Sequence, residues 1–331
     1  VIGVKHLFES NFLSKFNEFT SKMPHSQAEL YVKTSIRFLG SLEFFYTKNN
    51  TVYLNSVIDY LFTCLKNHPE QEILISKTIM ELCDNCRSLL VSSIPNFEPI
   101  LVEMIRNPSI NNYTREKFIN SISCIIQSIP DPEAQENHVY HILELIEKTS
   151  EPALQKASQE SLGKDESEYS ISLFNSLHEL GKGLSLPDDF EEDEPQLYNQ
   201  FCTFYKNSNN RIQDKLVRLV NLFAIEIPSL AKNLEVNEKA CLIFKVGLLE
   251  EFGPFAFTNN VVLQFALSKK SQGISFQIRT YLLELLTTLI NTGLHSKVDS
   301  SNILSQDDVT NIVEHFIVQD YQNISEDPDS V

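Results

Sequence analysis

Apolar residues recur along this chain at steps of three and four, and that spacing limits most what it can fold into. Leu54, Val57, Ile58, Leu61, Phe62 and Leu65 form one stripe, and Ile75, Ile79, Leu82, Cys83, Cys86 and Leu90 a second. Phe118, Ile119, Ile122, Ile126 and Ile129 form another, followed by Val139, Ile142, Leu143 and Ile146. Ile278, Tyr281, Leu282, Leu285, Leu286 and Leu289 repeat the arrangement late in the chain. At 3.6 residues per turn each stripe lies on one helical face and needs cover from a neighbour. Strand-like alternation never persists, which argues against a sheet. Gly, 9 of 331 residues, is too scarce for a fold rich in hairpins or phosphate-cradling loops.

The units themselves repeat. Helices of one class begin near Ser26, Pro69 and Asn112, 43 residues apart each time. HEAT and armadillo units fall at about 40–47 residues, so the period predicts an all-α HEAT-repeat α-solenoid, a superhelix of antiparallel helix pairs. The whole length then holds roughly seven to eight pairs, although the period is harder to follow after Pro152. Ser26-Gln27-Ala28-Glu29 reads as a capping box, and Pro69 and Pro132 as first-turn prolines. Asn49-Asn50 reads as a minimal linker between antiparallel helices. The expected organisation is HEAT repeats over 1–186, an acidic inter-repeat loop over 187–195, further HEAT-like repeats over 196–319 and a polar tail over 320–331.

Charge narrows the class of partner. The 27 Lys and Arg against 44 Asp and Glu leave a net charge of -17. That field repels phosphate backbones and anionic lipid, so direct nucleic-acid contact is not expected, and basic protein surfaces are attracted instead. No uninterrupted apolar run approaches the ~20 residues of a membrane helix, so no membrane insertion is expected. Six cysteines lie mostly within helical apolar patterns, which fits a reducing compartment. The opening Val1-Ile2-Gly3-Val4 has neither a start Met nor a signal layout, and we expect a fragment of a longer protein.

Candidate sites are few. Cys83-Asp84-Asn85-Cys86 is a lone CxxC without a second ligand pair and reads as core packing. His138, His141 and Glu144 recur every three residues, a spacing that solvent-facing polar groups share with metal ligands. Gly181-Lys182-Gly183 lacks the frame of a phosphate loop and reads as the C-cap of the helix carrying Phe174, Leu177 and Leu180. No nucleophile–base set stands out, so no catalytic, cofactor or metal residue is assigned and the chain is not expected to be an enzyme. The acidic run has more to offer. Asp188, Asp189, Glu191, Glu192, Asp193 and Glu194 are bounded by Pro187 and Pro195 and repel one another too strongly for a stable helix. As an exposed loop they either steer and clasp a basic partner or stand as a solvated, disordered segment.

One resemblance emerges from these helices. The stretch Ile79-Met80-Glu81-Leu82-Cys83-Asp84-Asn85-Cys86-Arg87-Ser88-Leu89-Leu90 resembles the "LC-xx-CR-xx-L" helix of the transportin-SR/importin-13 branch of the β-karyopherins, the importin-β superfamily. Tyr113 to Phe118 and Ile126-Gln127-Ser128 resemble the next helix of those receptors, with the fungal karyopherin 122, or pleiotropic drug resistance, group nearest. Leu177 to Pro187 and Cys241 to Gly247 match it more loosely. The resemblance implies a receptor that carries protein cargo through nuclear pores, shuttling between cytoplasm and nucleus. It implies control by the GTPase Ran, bound mainly through amino-terminal repeats that this sequence does not match, and contact with phenylalanine-glycine nucleoporins. A HEAT scaffold of a phosphatase, trafficking or chromatin complex has the same fold and stands as the alternative.

Overall fold

The computed structural model describes residues 2–47, 51–158, 164–207, 211–293 and 304–319. The linker at Asn49-Asn50 and the tail over 320–331 lie outside the described residues. Among the described residues there is no strand, and the fold is the expected all-α helical-repeat solenoid. The chain divides into two compact units, Val1–His138 with Lys182–Leu184, and Val139–Gly181 with Ser185–Val331.

The first unit begins with α1 (Ile2–Glu9), α2 (Phe12–Ser21), α3 (His25–Gly40), α4 (Glu43–Thr47) and α5 (Thr51–Asn67). It continues through α6 (Glu72–Asn85), α7 (Ile94–Arg106) and α8 (Asn112–Gln127). Helices α3, α6 and α8 lie side by side in that order, α5 packs on α6 and α7 on α8. The stripes read from the sequence meet at these interfaces, where Ile36, Leu39, Leu61, Ile79, Leu82, Phe97 and Ile119 are fully buried. Each contributes roughly 1.5–3 kcal/mol by leaving water. Polar rungs cross the same seams. Gln71 donates to Glu29 at 2.9 Å and Asn85 to Glu43 at 2.6 Å, both 42 positions apart. Arg87 donates to Gln127 at 3.1 Å, 40 positions on. These spans of 42, 42 and 40 positions come close to the 43-residue sequence period, so each bond joins one repeat to the next.

Arg115, fully buried, closes the α7–α8 connection. Its guanidinium donates to the carbonyls of Met104 and Asn107, both at 2.9 Å, to that of Ile110 at 3.2 Å and to the Asn112 side chain at 2.8 Å. Five fixed donors suit a turn that brings three carbonyls and an amide oxygen to one point.

Helices α9 (Pro132–Ser158) and α10 (Lys164–Leu184) contribute residues to both units. In the second unit follow α11 (Phe190–Asp193), α12 (Pro195–Asn207), α13 (Arg211–Asn221) with a π-helical turn at Leu222–Glu226, and α14 (Pro228–Ala231). Then come α15 (Leu234–Leu249), α16 (Asn259–Lys270), α17 (Phe276–Gly293) and α18 (Gln306–Val313). Helix α15 packs along α17, tied by Lys245 to Glu284 at 2.9 Å and 39 positions apart. Phe174 stacks on Phe223 at 4.9 Å, and Phe244 meets Phe257 at 4.9 Å and Phe265 at 4.7 Å.

Four local expectations are corrected. The capping box at Ser26 is absent: Pro24 takes the N-cap position, Ser26 falls inside the first turn, and Glu29 is drawn across to Gln71. The helix carrying Cys83 stops at Asn85, and Arg87–Ser93 winds as a 3-10 segment, so Cys86 and Leu90 are buried outside that helix. Gly181 and Gly183 do not cap α10 but lie within it. A side chain at Gly181 would overlap the Phe255 ring, and one at Gly183 would come within 2.6 Å of the Asn120 carbonyl oxygen. These glycines are where other chain segments press against the helix. Finally, Arg87–Arg106 is by length and composition apolar enough to cross a membrane. It is broken at Ile94 and buries Leu90, Ile94, Phe97, Leu101 and Ile105 in the first unit's core.

Candidate functional site

The six carboxylates of the acidic run are all exposed. Contrary to the expected loop, Phe190–Asp193 makes one helical turn between non-helical flanks. The Asp189 carbonyl accepts from the amides of Glu192 at 3.1 Å and Asp193 at 2.9 Å, while Phe190 stacks on Phe201 of α12 at 6.0 Å. That ring contact anchors the turn, and full hydration of the carboxylates relieves their repulsion.

Two further carboxylates, far off in sequence, join this surface. Glu250, which follows α15, accepts from the Leu186 amide at 3.4 Å. Glu251 accepts from the Tyr198 hydroxyl at 3.0 Å. Burial and the neighbouring Glu251 carboxylate raise the Tyr198 phenol above its ordinary range, so it stays a neutral donor. Tyr198 also meets Phe252 edge-on at 5.0 Å, which fixes the 250–252 segment beside α12. The result is an anionic patch carried on a turn and the end of a helix, held from beneath by aromatic contacts.

A second charged group lies elsewhere in the same unit. Glu147 of α9 receives Lys215 at 2.5 Å and Arg218 of α13, and the Lys215 ammonium stands 4.9 Å from the Tyr140 ring. Lys215 is buried and Glu147 four-fifths so, which makes this a packing element between α9 and α13.

The sequence candidates for metal binding do not assemble. His138 pairs with Glu98 at 3.4 Å, and His141 is exposed on α9. Cys83 and Cys86 are buried, as core packing requires. Burial pushes the thiols of Cys64 and Cys86 up to about 11, those of Cys124 and Cys241 to about 12, and Cys83 well above its usual value. The group that does come together among the described residues is His25, His68 and Glu70. The 43-residue offset between the two histidines is the signal that places them at equivalent points of adjacent repeats.

Comparison with known proteins agrees with this architecture. The family profile described as "Importin beta-like KAP122 middle domain" matches residues 2–184. The importin beta-like protein kap111 of Schizosaccharomyces pombe is 27% identical over 149 residues, which is 45% of this chain and 14% of that relative. The chain thus aligns with a small part of a much longer curated relative. With more than half its length inside the family profile, the chain belongs to the importin-β-like proteins that carry the KAP122 middle domain.

Proposed function

We propose that this chain is the middle to C-terminal part of a nuclear transport receptor of the transportin-SR/importin-13 branch, one that binds protein cargo and carries it through the nuclear pore under Ran control. Family membership over residues 2–184 is the observation that carries this reading. The repeat organisation supports it. A carrier must cover a folded cargo over a wide area and still release it, and repeats joined only to their neighbours distribute many weak contacts along the chain.

Asp188, Asp189, Glu191, Glu192, Asp193 and Glu194, with Glu250 and Glu251 beside them, are the surface we assign to basic cargo. Opposite charge speeds encounter and sets partner choice, and contact with water on all sides keeps the grip reversible. In this reading 187–195 is an inter-repeat acidic segment, 196–319 continues the HEAT-like array and 320–331 is a polar tail. Ran is met mainly by repeats amino-terminal to this chain, phenylalanine-glycine nucleoporins dock between neighbouring helices, and the receptor shuttles between cytoplasm and nucleus without catalysing a reaction.

The test is a pull-down from nuclear and cytoplasmic extract with the full-length parent, with and without GTP-loaded Ran, alongside retention on immobilised phenylalanine-glycine repeats. Ran-sensitive cargo and measurable retention are expected. Cargo indifferent to Ran in both directions, with no retention, would favour the scaffold alternative.

A further inference from the structure

His25 and His68 face one another across the seam between two repeats. His25 is the first residue of α3, behind Pro24, and His68 caps the 3-10 turn Pro69–Gln71 that leads into α6. Their rings are parallel to within 12°, with centroids 6.2 Å apart. Glu70 reaches both: its Oε1 lies 3.2 Å from His68 Nδ1 and 3.7 Å from His25 Nε2.

The second distance is informative. It is too long for a hydrogen bond, which holds N and O at about 2.7–3.2 Å. It is the right scale for two ligands of one ion. Tetrahedral zinc with bonds of about 2.0–2.1 Å keeps its ligand atoms roughly 3.3–3.4 Å apart, a value the two observed distances straddle. All three donor atoms lie within 4.8 Å of one another. Two imidazoles and a carboxylate are also the donor types that zinc takes. The His68 side chain is 17% exposed and in contact with Glu70 at 3.2 Å, so these two are held together, whereas His25 at 70% has room to close onto an ion. Both histidines border a cleft of about 540 Å³, with Asn17, Glu18 and Met23 on its walls, which leaves space for a fourth ligand.

We propose that His25 Nε2, His68 Nδ1 and Glu70 Oε1 form a divalent-metal site, suited to zinc, that ties α3 to the repeat after it. The seam is otherwise crossed here by the Gln71–Glu29 hydrogen bond, so an ion stiffens this joint and its loss frees it.

The experiment is calorimetric titration of the whole chain with zinc chloride at pH 7.5, repeated with cobalt(II) to read visible d–d absorption. We expect one saturable ion per chain, a tetrahedral cobalt spectrum, and affinity reduced about 10-fold or more in both His25→Ala and Glu70→Gln. His25 and Glu70 are far enough exposed that circular dichroism should show both variants folded. No saturable uptake, or uptake unchanged in either variant, overturns the site. These outcomes are independent of cargo, Ran and nucleoporin binding.

Discussion

The ammonium of Lys269 lies 2.6 Å from the carbonyl oxygen of Ala224, inside the second unit and away from water. It also donates to Ala231 O at 2.5 Å and to Gln272 at 3.3 Å, pinning the π-helical turn and α14 to α16. Burial pushes its pKa down from 10.5 to about 8. The unfolded chain therefore holds this proton more tightly. The group's contribution to stability is level below about pH 8 and rises with pH until about 10.5. Lys269→Met should cost about 1–3 kcal/mol at neutral pH by leaving carbonyls unpaired. The gap to the natural chain should widen between pH 8 and 10 in urea denaturation. A constant gap would show that Lys269 titrates normally.

Arg115 offers a sharper test of the first unit. Replacing it with Met keeps much of the volume but strips the Met104, Asn107 and Ile110 carbonyls of their shared donor. The expected loss is about 3 kcal/mol or more, read from the shift in urea midpoint. A loss below about 1 kcal/mol would mean water substitutes for the guanidinium.

Gly181 and Phe255 should be coupled. Gly181→Ala forces a methyl group into the ring and should destabilise the chain by about 1–3 kcal/mol. Phe255→Leu removes the obstructing edge, so the double variant should recover part of the alanine penalty in a double-mutant cycle. Additive losses would place the strain elsewhere.

Much of this fold is legible in one dimension because each helix buries a face that repeats every three or four residues, as Ile75, Ile79 and Leu82 do. Helix ends are less legible, since they depend on distant partners. The run past Asn85 turns away where Arg87 bonds Asp84, Gln127 and the Gly183 carbonyl, the last 96 positions along. A glycine pair looks like a stop signal until Phe255 is placed against it. The acidic run is visible as a charge block, yet Glu250 and Glu251 join it only through folding. His25 and His68 carry no ligand motif, because their proximity comes from the repeat period and not from a short spacing.

Thiol chemistry should single out one cysteine. Cys202 is partly accessible, whereas Cys64, Cys83, Cys86, Cys124 and Cys241 are buried with raised pKa values. At pH 8 an aromatic disulfide reagent should label one thiol quickly, and Cys202→Ser should abolish that fast phase. A fast phase that survives would reveal local opening of the core.

Neutralising the acidic patch should act on rate more than on stability. Asn or Gln at Asp188, Asp189, Glu191, Glu192, Asp193 and Glu194 should leave the urea midpoint within about 0.5 kcal/mol, since all six are exposed. Association with a basic cargo should slow and lose most of its salt dependence in stopped-flow mixing. An unchanged salt slope would locate cargo docking on another face.

The rungs at Glu29–Gln71, Glu43–Asn85 and Arg87–Gln127 each reach about one repeat along the chain. Contacts of such fixed reach do not lengthen as units are added, so the search for native partners need not slow with size. An ancestral gene could therefore gain or lose whole units by duplication and deletion, with every surviving joint finding the neighbour it had before.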